Sequence, residues 1–312
     1  MGVGHGHGHG HGPQHGGQLT GHAGARYRWR LAVSFGLIAM FFVVELVAGI
    51  ISGSLALISD AGHMAADVVA LGAALVATKI ATRTDDTGRR TYGSYRAEVF
   101  ASGLAVLLML GVAAYVVIEA IGRLGTNPEV DTGAMLIVGL LGLLVNLAAL
   151  VLLRAGAKDS LNVKGAYLEV VADTAGSIGV LAAAGLVAAT GEGYWDTAVA
   201  FAIGAFVAVR AVMLGRQVLA VLGQHAPAGL DIDAVADSLA SVPGVKDVHD
   251  LHAWTLTSGM NVATAHLVLH DNAQGQPALV AAQTILRNDY LIEHATLQVE
   301  EKRTANCDEV TW

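Results

Sequence analysis

His63 and Asp67 stand four residues apart inside a long apolar stretch, and Glu169 and Asp173 repeat that spacing in another. Four residues turn a helix by about 400°, so each pair shares one face, one turn apart. A charge at bilayer depth costs about 2.5–3.5 kcal/mol on insertion scales, so acids placed there are functional candidates by default. One imidazole and three carboxylates meeting between two helices match tetrahedral coordination of a divalent transition ion. A lone polar group in a span more often just bonds a neighbouring helix, and that reading is given to Glu45, Asn146, Glu98 and Glu119.

Those pairs need helices that cross a membrane, which takes about 20 apolar residues each. The 312-residue chain is 54% hydrophobic and 14% charged, and its apolar residues come in long runs. Six segments qualify, at 30–51, 55–79, 98–122, 133–153, 165–189 and 197–219. The first is too long for a signal peptide and has more spans after it, so it reads as a true helix. Lys and Arg concentrate in alternate connections: Arg26, Arg28 and Arg30, then Lys79, Arg83, Arg89, Arg90 and Arg96, then Arg154, Lys158 and Lys164. The intervening connections hold only Arg123, which predicts both termini in the cytoplasm. The basic loop Arg89–Arg96 reads first as topology and lipid contact, and second as a charge lock between domains. A net charge of −8, with no basic cluster, argues against nucleic-acid binding, and the single Cys307 excludes an intramolecular disulfide framework.

Beyond Gly223 the chain turns polar. Asp231–Ala240 reads as a helix, Lys246–Thr257 and Asn261–Leu269 as strands joined at Ser258-Gly259, Pro277–Asp289 as a helix and Ala295–Glu300 as a last strand. The expected fold is therefore an all-α six-helix transmembrane bundle followed by a small cytoplasmic α+β domain. The organisation is a Gly/His tail over 1–27, a transport domain over 28–222, a cytoplasmic domain over 225–303 and a short tail over 304–312. About 80 residues are marginal alone, which favours docking or a homodimer. In the tail, His5, His7, His9, His11 and His15 alternate with glycine, a pattern that can hold transition metals loosely; an affinity tag is the plain alternative.

Several longer motifs carry a resemblance. SLALISDAGHMAAD (Ser54–Asp67), RTYGSYRAE (Arg90–Glu98), DTAGSIGV (Asp173–Val180), VHDLHAW (Val248–Trp254) and LQVE (Leu297–Glu300) resemble the cation diffusion facilitator family, and the likeness runs from about residue 28 to 303. It implies a homodimeric exporter of zinc and related ions with six helices and a ferredoxin-like cytoplasmic domain, exchanging metal for protons with no cofactor. Its transport site falls on His63, Asp67, Glu169 and Asp173. Zinc members commonly carry His where this chain has Glu169, and the harder donor set admits cobalt, iron(II) or manganese beside zinc. The resemblance also implies a metal site in the cytoplasmic domain on His249, His266 and Glu300, with His252 and His294 close in pattern; ordinary strand histidines are the alternative. A further site known in the family, near Lys79–Arg83, is expected to be missing. A bacterial-type plasma membrane is the expected location.

Three rival classes fit the sequence less well. A membrane metallohydrolase would need an open coordination position and a positioned base, and neither His-Glu-x-x-His nor Gly-x-Ser-x-Gly occurs. A metal sensor anchored by its spans would not need paired ligands inside them. A passive channel would not need a dehydrating site.

Overall fold

The computed structural model describes residues 22–81, 91–158, 161–257 and 259–303. His5, His7, His9, His11 and Cys307 lie outside these residues, as do Arg83, Arg89, Arg90 and the turn residue Ser258.

Six long helices form the first part: α1 (His22–Ser52), α2 (Leu55–Ala81), α3 (Ala97–Gly122), α4 (Thr132–Leu153), α5 (Leu161–Thr190) and α6 (Tyr194–Leu222). Among the described residues, α1, α3, α4, α5 and α6 each hold a stretch long and apolar enough to cross a membrane by length and composition. Their outer faces are lined by exposed Leu, Ile, Val and Phe, such as Ile51, Phe100, Ile118 and Ile137, the signature of a surface wetted by lipid. The 27-residue α2 runs inside the bundle against α1, α3, α5 and α6, and Leu55, Ala56, Leu57 and Ala61 are wholly buried. A helix shielded on all sides by protein can carry polar groups that a lipid-facing one cannot.

The start of α2 is held by a neighbour rather than by its own cap alone. Gly53 turns the chain at φ +69°, a conformation that a side chain would strain, and two residues separate α1 from α2. Asp196 near the start of α6 then accepts hydrogen bonds from Ser54 Oγ (2.6 Å) and from the backbone N–H of Leu55 (2.7 Å) and Ala56 (3.2 Å). Arg123, after α3, donates to Gly53 O at 3.1 Å and stands 3.6 Å from Asp196. A carboxylate so placed satisfies the orphan donors of the α2 N-terminus and complements its dipole.

The second part comprises α7 (Ile232–Ala240), β1 (Val245–Thr257), β2 (Met260–Leu269), α8 (Gly275–Tyr290) and β3 (His294–Glu300). Its sheet has the order β1-β2-β3, with β1 antiparallel to β2 and β2 parallel to β3. Both helices cover one apolar core that includes Val235, Leu239, Leu267, Ala282 and Leu286. The helix-strand-strand-helix-strand order expected from the sequence is the observed one, and the ends differ by one or two residues. This domain touches the bundle where Thr257 Oγ1 donates to Glu98 Oε2 (3.1 Å) and where the Tyr92 and His294 rings meet edge-on at 5.5 Å. Among the described residues these contacts are made by a carboxylate, a hydroxyl and two rings; Arg89 and Arg90, on which the charge-lock reading falls, lie outside the described residues.

Candidate metal centre

Helices that traverse a bundle in succession alternate in direction, so α2 and α5, three connections apart, run opposite ways. His63 is then level with Asp173, and Asp67 with Glu169. His63 Nε2 lies 3.7 Å from Asp173 Oδ1 and 3.8 Å from Asp67 Oδ2. One ligand atom from each of His63, Asp67 and Glu169 lies within 4.8 Å of the others. Zinc bound at about 2.0–2.1 Å in a tetrahedron keeps its donor atoms about 3.3 Å apart, so this constellation needs only small side-chain adjustments to close on an ion. Asp67 Oδ2, Asp173 Oδ1 and His63 Nδ1 are buried and have no hydrogen-bond partner among the described residues, so two of the carboxylates present lone pairs there.

Close helix approach makes the meeting feasible. Gly176 on α5 faces the Asp60 carboxyl of α2, and a Cβ at that position would collide with it. Asp60 and Glu45 of α1 stand next to one another beside the site, both almost fully buried. Of the isolated polar residues that the sequence reading gave to bonds with a neighbouring helix, Asn146 makes one, while Glu119 and Glu98 find their partners elsewhere. Asn146 Nδ2 donates to Ser177 Oγ at 3.2 Å, joining α4 to α5, and Glu119 pairs with Arg123 one turn on. Glu98 reaches the second domain instead.

Access to the centre is graded. A cavity of about 340 Å³ is lined by Asp67, Glu169, Met109, Met213, Leu214 and Gln217, among others. Side-chain exposure is 44% for Glu169 and 28% for Asp67, against 5% for Asp173 and 3% for His63. The opening lies towards the end of the bundle from which the second domain hangs, because Gln217 is five residues from the end of α6.

One member of this centre escaped the sequence reading. Arg210 of α6 donates from Nη2 to Glu169 Oε2 (2.5 Å) and from Nη1 to His63 Nε2 (2.9 Å), and stands 4.0 Å from Asp67. An arginine carries only donors, so its contact with His63 makes Nε2 the acceptor nitrogen of a neutral ring. The signal was present: a cation inside the sixth apolar stretch is as costly there as the acids that were singled out.

A second cluster lies in the C-terminal domain. His249 and His266 are cross-strand partners of β1 and β2, their rings 5.1 Å apart, and Glu300 ends β3. His266 Nδ1 is 3.1 Å from Glu300 Oε1, and His249 Nε2 is 3.5 Å from Glu300 Oε2. Their ligand atoms all lie within 4.8 Å of one another. A bulge between His249 and His252, with Asp250 at φ +52°, re-aims this stretch. It leaves His252 exposed against Asp250, while His294 sits at the far end of β3 against Tyr92, so neither joins the cluster.

Comparison with known proteins agrees with this architecture. Residues 31–222 match the cation efflux transmembrane domain, and residues 227–302 match the cation efflux protein cytoplasmic domain. The chain is 40% identical over 302 residues to the metal cation efflux system protein CzcD of Cupriavidus metallidurans, covering 96% of this chain and 90% of that one. It is 34% identical over 292 residues to a cadmium, cobalt and zinc/H(+)-K(+) antiporter of Bacillus velezensis, covering 91% and 92%. It is also 34% identical over 273 residues to the zinc transporter ZitB of Escherichia coli, covering 87% of each. The chain is therefore a multi-pass membrane transporter of the cation efflux family, and not an enzyme.

Proposed function

We propose that this protein exports divalent transition-metal ions from the cytoplasm, zinc foremost and cobalt, iron(II) or manganese as alternatives, in exchange for protons. His63, Asp67, Glu169 and Asp173 form the transport site, and it is exposed alternately to the two sides of the membrane. The observation that carries this reading is the graded opening: the cavity reaches Asp67 and Glu169 while His63 and Asp173 stay enclosed. An ion entering from that side meets the exposed carboxylate of Glu169 first and then displaces its last waters at His63. Relatives named for zinc, and for cadmium, cobalt and zinc, support this class of cargo. Proton coupling follows from ligand chemistry. Imidazole and carboxylate bind metal only when deprotonated, so protons arriving from the far side compete the ion off.

The cavity faces the end of the bundle that bears the basic connections, which supports both termini lying in the cytoplasm, in a bacterial-type plasma membrane. The domain limits proposed above follow the same logic, with residues 225–303 as the cytoplasmic part. The small size of that part supports a homodimer, and His249, His266 and Glu300 are proposed as its metal site. The histidines of the N-terminal tail would raise metal concentration at the entrance.

The test is metal flux into proteoliposomes under an imposed pH gradient, for wild type and Asp173→Ala. Gradient-driven zinc flux that the variant loses, with its fold intact, supports the reading. Flux undiminished in Asp173→Ala, or indifferent to the gradient, refutes it.

A further inference from the structure

Arg210 is a partly buried cation of the metal centre that the exchange described above does not use. Its guanidinium sits between α5 and α2, donating to Glu169 Oε2 and His63 Nε2 with Asp67 Oδ1 at 4.0 Å. These are three of the four residues assigned to the ion. His63 Nε2 is also the nitrogen that converges with Asp67 and Asp173, at 3.8 and 3.7 Å. That nitrogen has one lone pair, and it can face the guanidinium or a metal ion, never both. At Glu169 the competition is electrostatic, since a fixed positive charge in hydrogen-bond contact with a carboxylate opposes a divalent cation on the same group.

We propose that Arg210 is a tethered competitor of the transported ion, a side-chain cation that holds the ligands together and must swing out as metal enters. The inference rests on the transport-site reading given above. The geometry provides a place to go: Arg210 lines the cavity of about 340 Å³, together with Met213, Leu214 and Gln217 on its own helix. A long arginine side chain can leave the ligands and lie along that wall with its head towards the open end of the cavity. Two consequences follow for transport. The ligand carboxylates never face one another uncompensated, which spares the bundle their mutual repulsion. The ion is also bound less tightly than four bare ligands would bind it, so its release on the far side is faster. Arg210 thus acts as a positioning and affinity-setting residue and not as a ligand.

A purely structural role predicts the opposite sign. Were Arg210 only orienting Glu169 and His63, its removal would loosen the ligands and weaken metal binding. The experiment is isothermal titration of zinc into the full-length protein in detergent, comparing wild type, Arg210→Met, Arg210→Lys and Asp173→Ala. Competition predicts a zinc Kd at least about tenfold lower in Arg210→Met, the scale of a lost charge-assisted contact. It predicts an intermediate gain in Arg210→Lys, whose point charge cannot fork to two partners. In proteoliposomes the Met variant would lower KM and kcat together, because tight binding slows release. Adding methylguanidinium to Arg210→Ala should raise its zinc Kd back towards that of wild type, by refilling the place of the lost side chain. Weaker or unchanged binding in Arg210→Met would overturn the proposal, and if that variant proved unstable the same result in Arg210→Lys would overturn it. If Asp173→Ala loses none of the zinc sites that wild type titrates, the transport-site reading itself fails. If Asp173 is needed and the Arg210 variants do not tighten, only the competition fails.

Discussion

Replacing Asp196 should cost more stability than replacing any exposed charge, and the structure lets the amount be worked out. Its carboxylate is 0% exposed and accepts from Ser54 Oγ, Leu55 N and Ala56 N at 2.6, 2.7 and 3.2 Å. Asp196→Ala leaves two backbone donors and a hydroxyl without their acceptor, and each stranded buried donor costs about 1–3 kcal/mol. Ser54 Oγ keeps its second role as acceptor from Leu57 N at 3.1 Å, and Arg123 keeps Glu119 and Gly53 O. With that partial compensation, and about 0.5 kcal/mol for the lost helix-dipole interaction, the expected penalty is about 3–5 kcal/mol. Asp196→Asn retains an acceptor oxygen for one N–H but puts a second donor against the others, so about 1–2 kcal/mol is expected. Denaturant titration of the protein in detergent micelles measures both. The consequence for transport comes through position: His63 lies nine residues along α2 from Ser54, about 13 Å at 1.5 Å per residue, so a loosened helix start displaces the imidazole of the proposed site. An Asp196→Ala protein within about 0.5 kcal/mol of wild type would refute the claim that this carboxylate anchors α2.

Two further outcomes are expected. Glu169→His replaces a hard oxygen donor with imidazole and should shift competition flux towards zinc over manganese by about tenfold; an unchanged preference would mean that Glu169 does not set selectivity. His249→Ala combined with His266→Ala should remove bound zinc from the C-terminal domain in equilibrium dialysis while sparing the Asp173-dependent zinc; unchanged stoichiometry would return both histidines to ordinary strand residues.

The succession of apolar stretches and the two four-residue polar pairs were legible in the chain itself, because hydrophobic runs and helical periodicity are local properties of sequence. So was the succession of elements in the C-terminal part, where alternation and turn residues mark strands and helices without reference to neighbours. The His249, His266 and Glu300 grouping came from resemblance rather than from spacing, since Glu300 lies 51 residues beyond His249 and only strand pairing brings them together. What the tertiary structure decided is every relation between distant helices. That Asp196 caps α2 from 141 residues away, and that Glu98 meets Thr257 in the other domain, follows from packing that no local pattern encodes. Arg210 is the sharpest case. Its presence in an apolar span was visible in the sequence, but its helix carries no four-residue partner to announce a site. Only the approach of α6 to α2 and α5 places its charge on His63 and Glu169, because in a low-dielectric bundle a cation settles where carboxylates already converge.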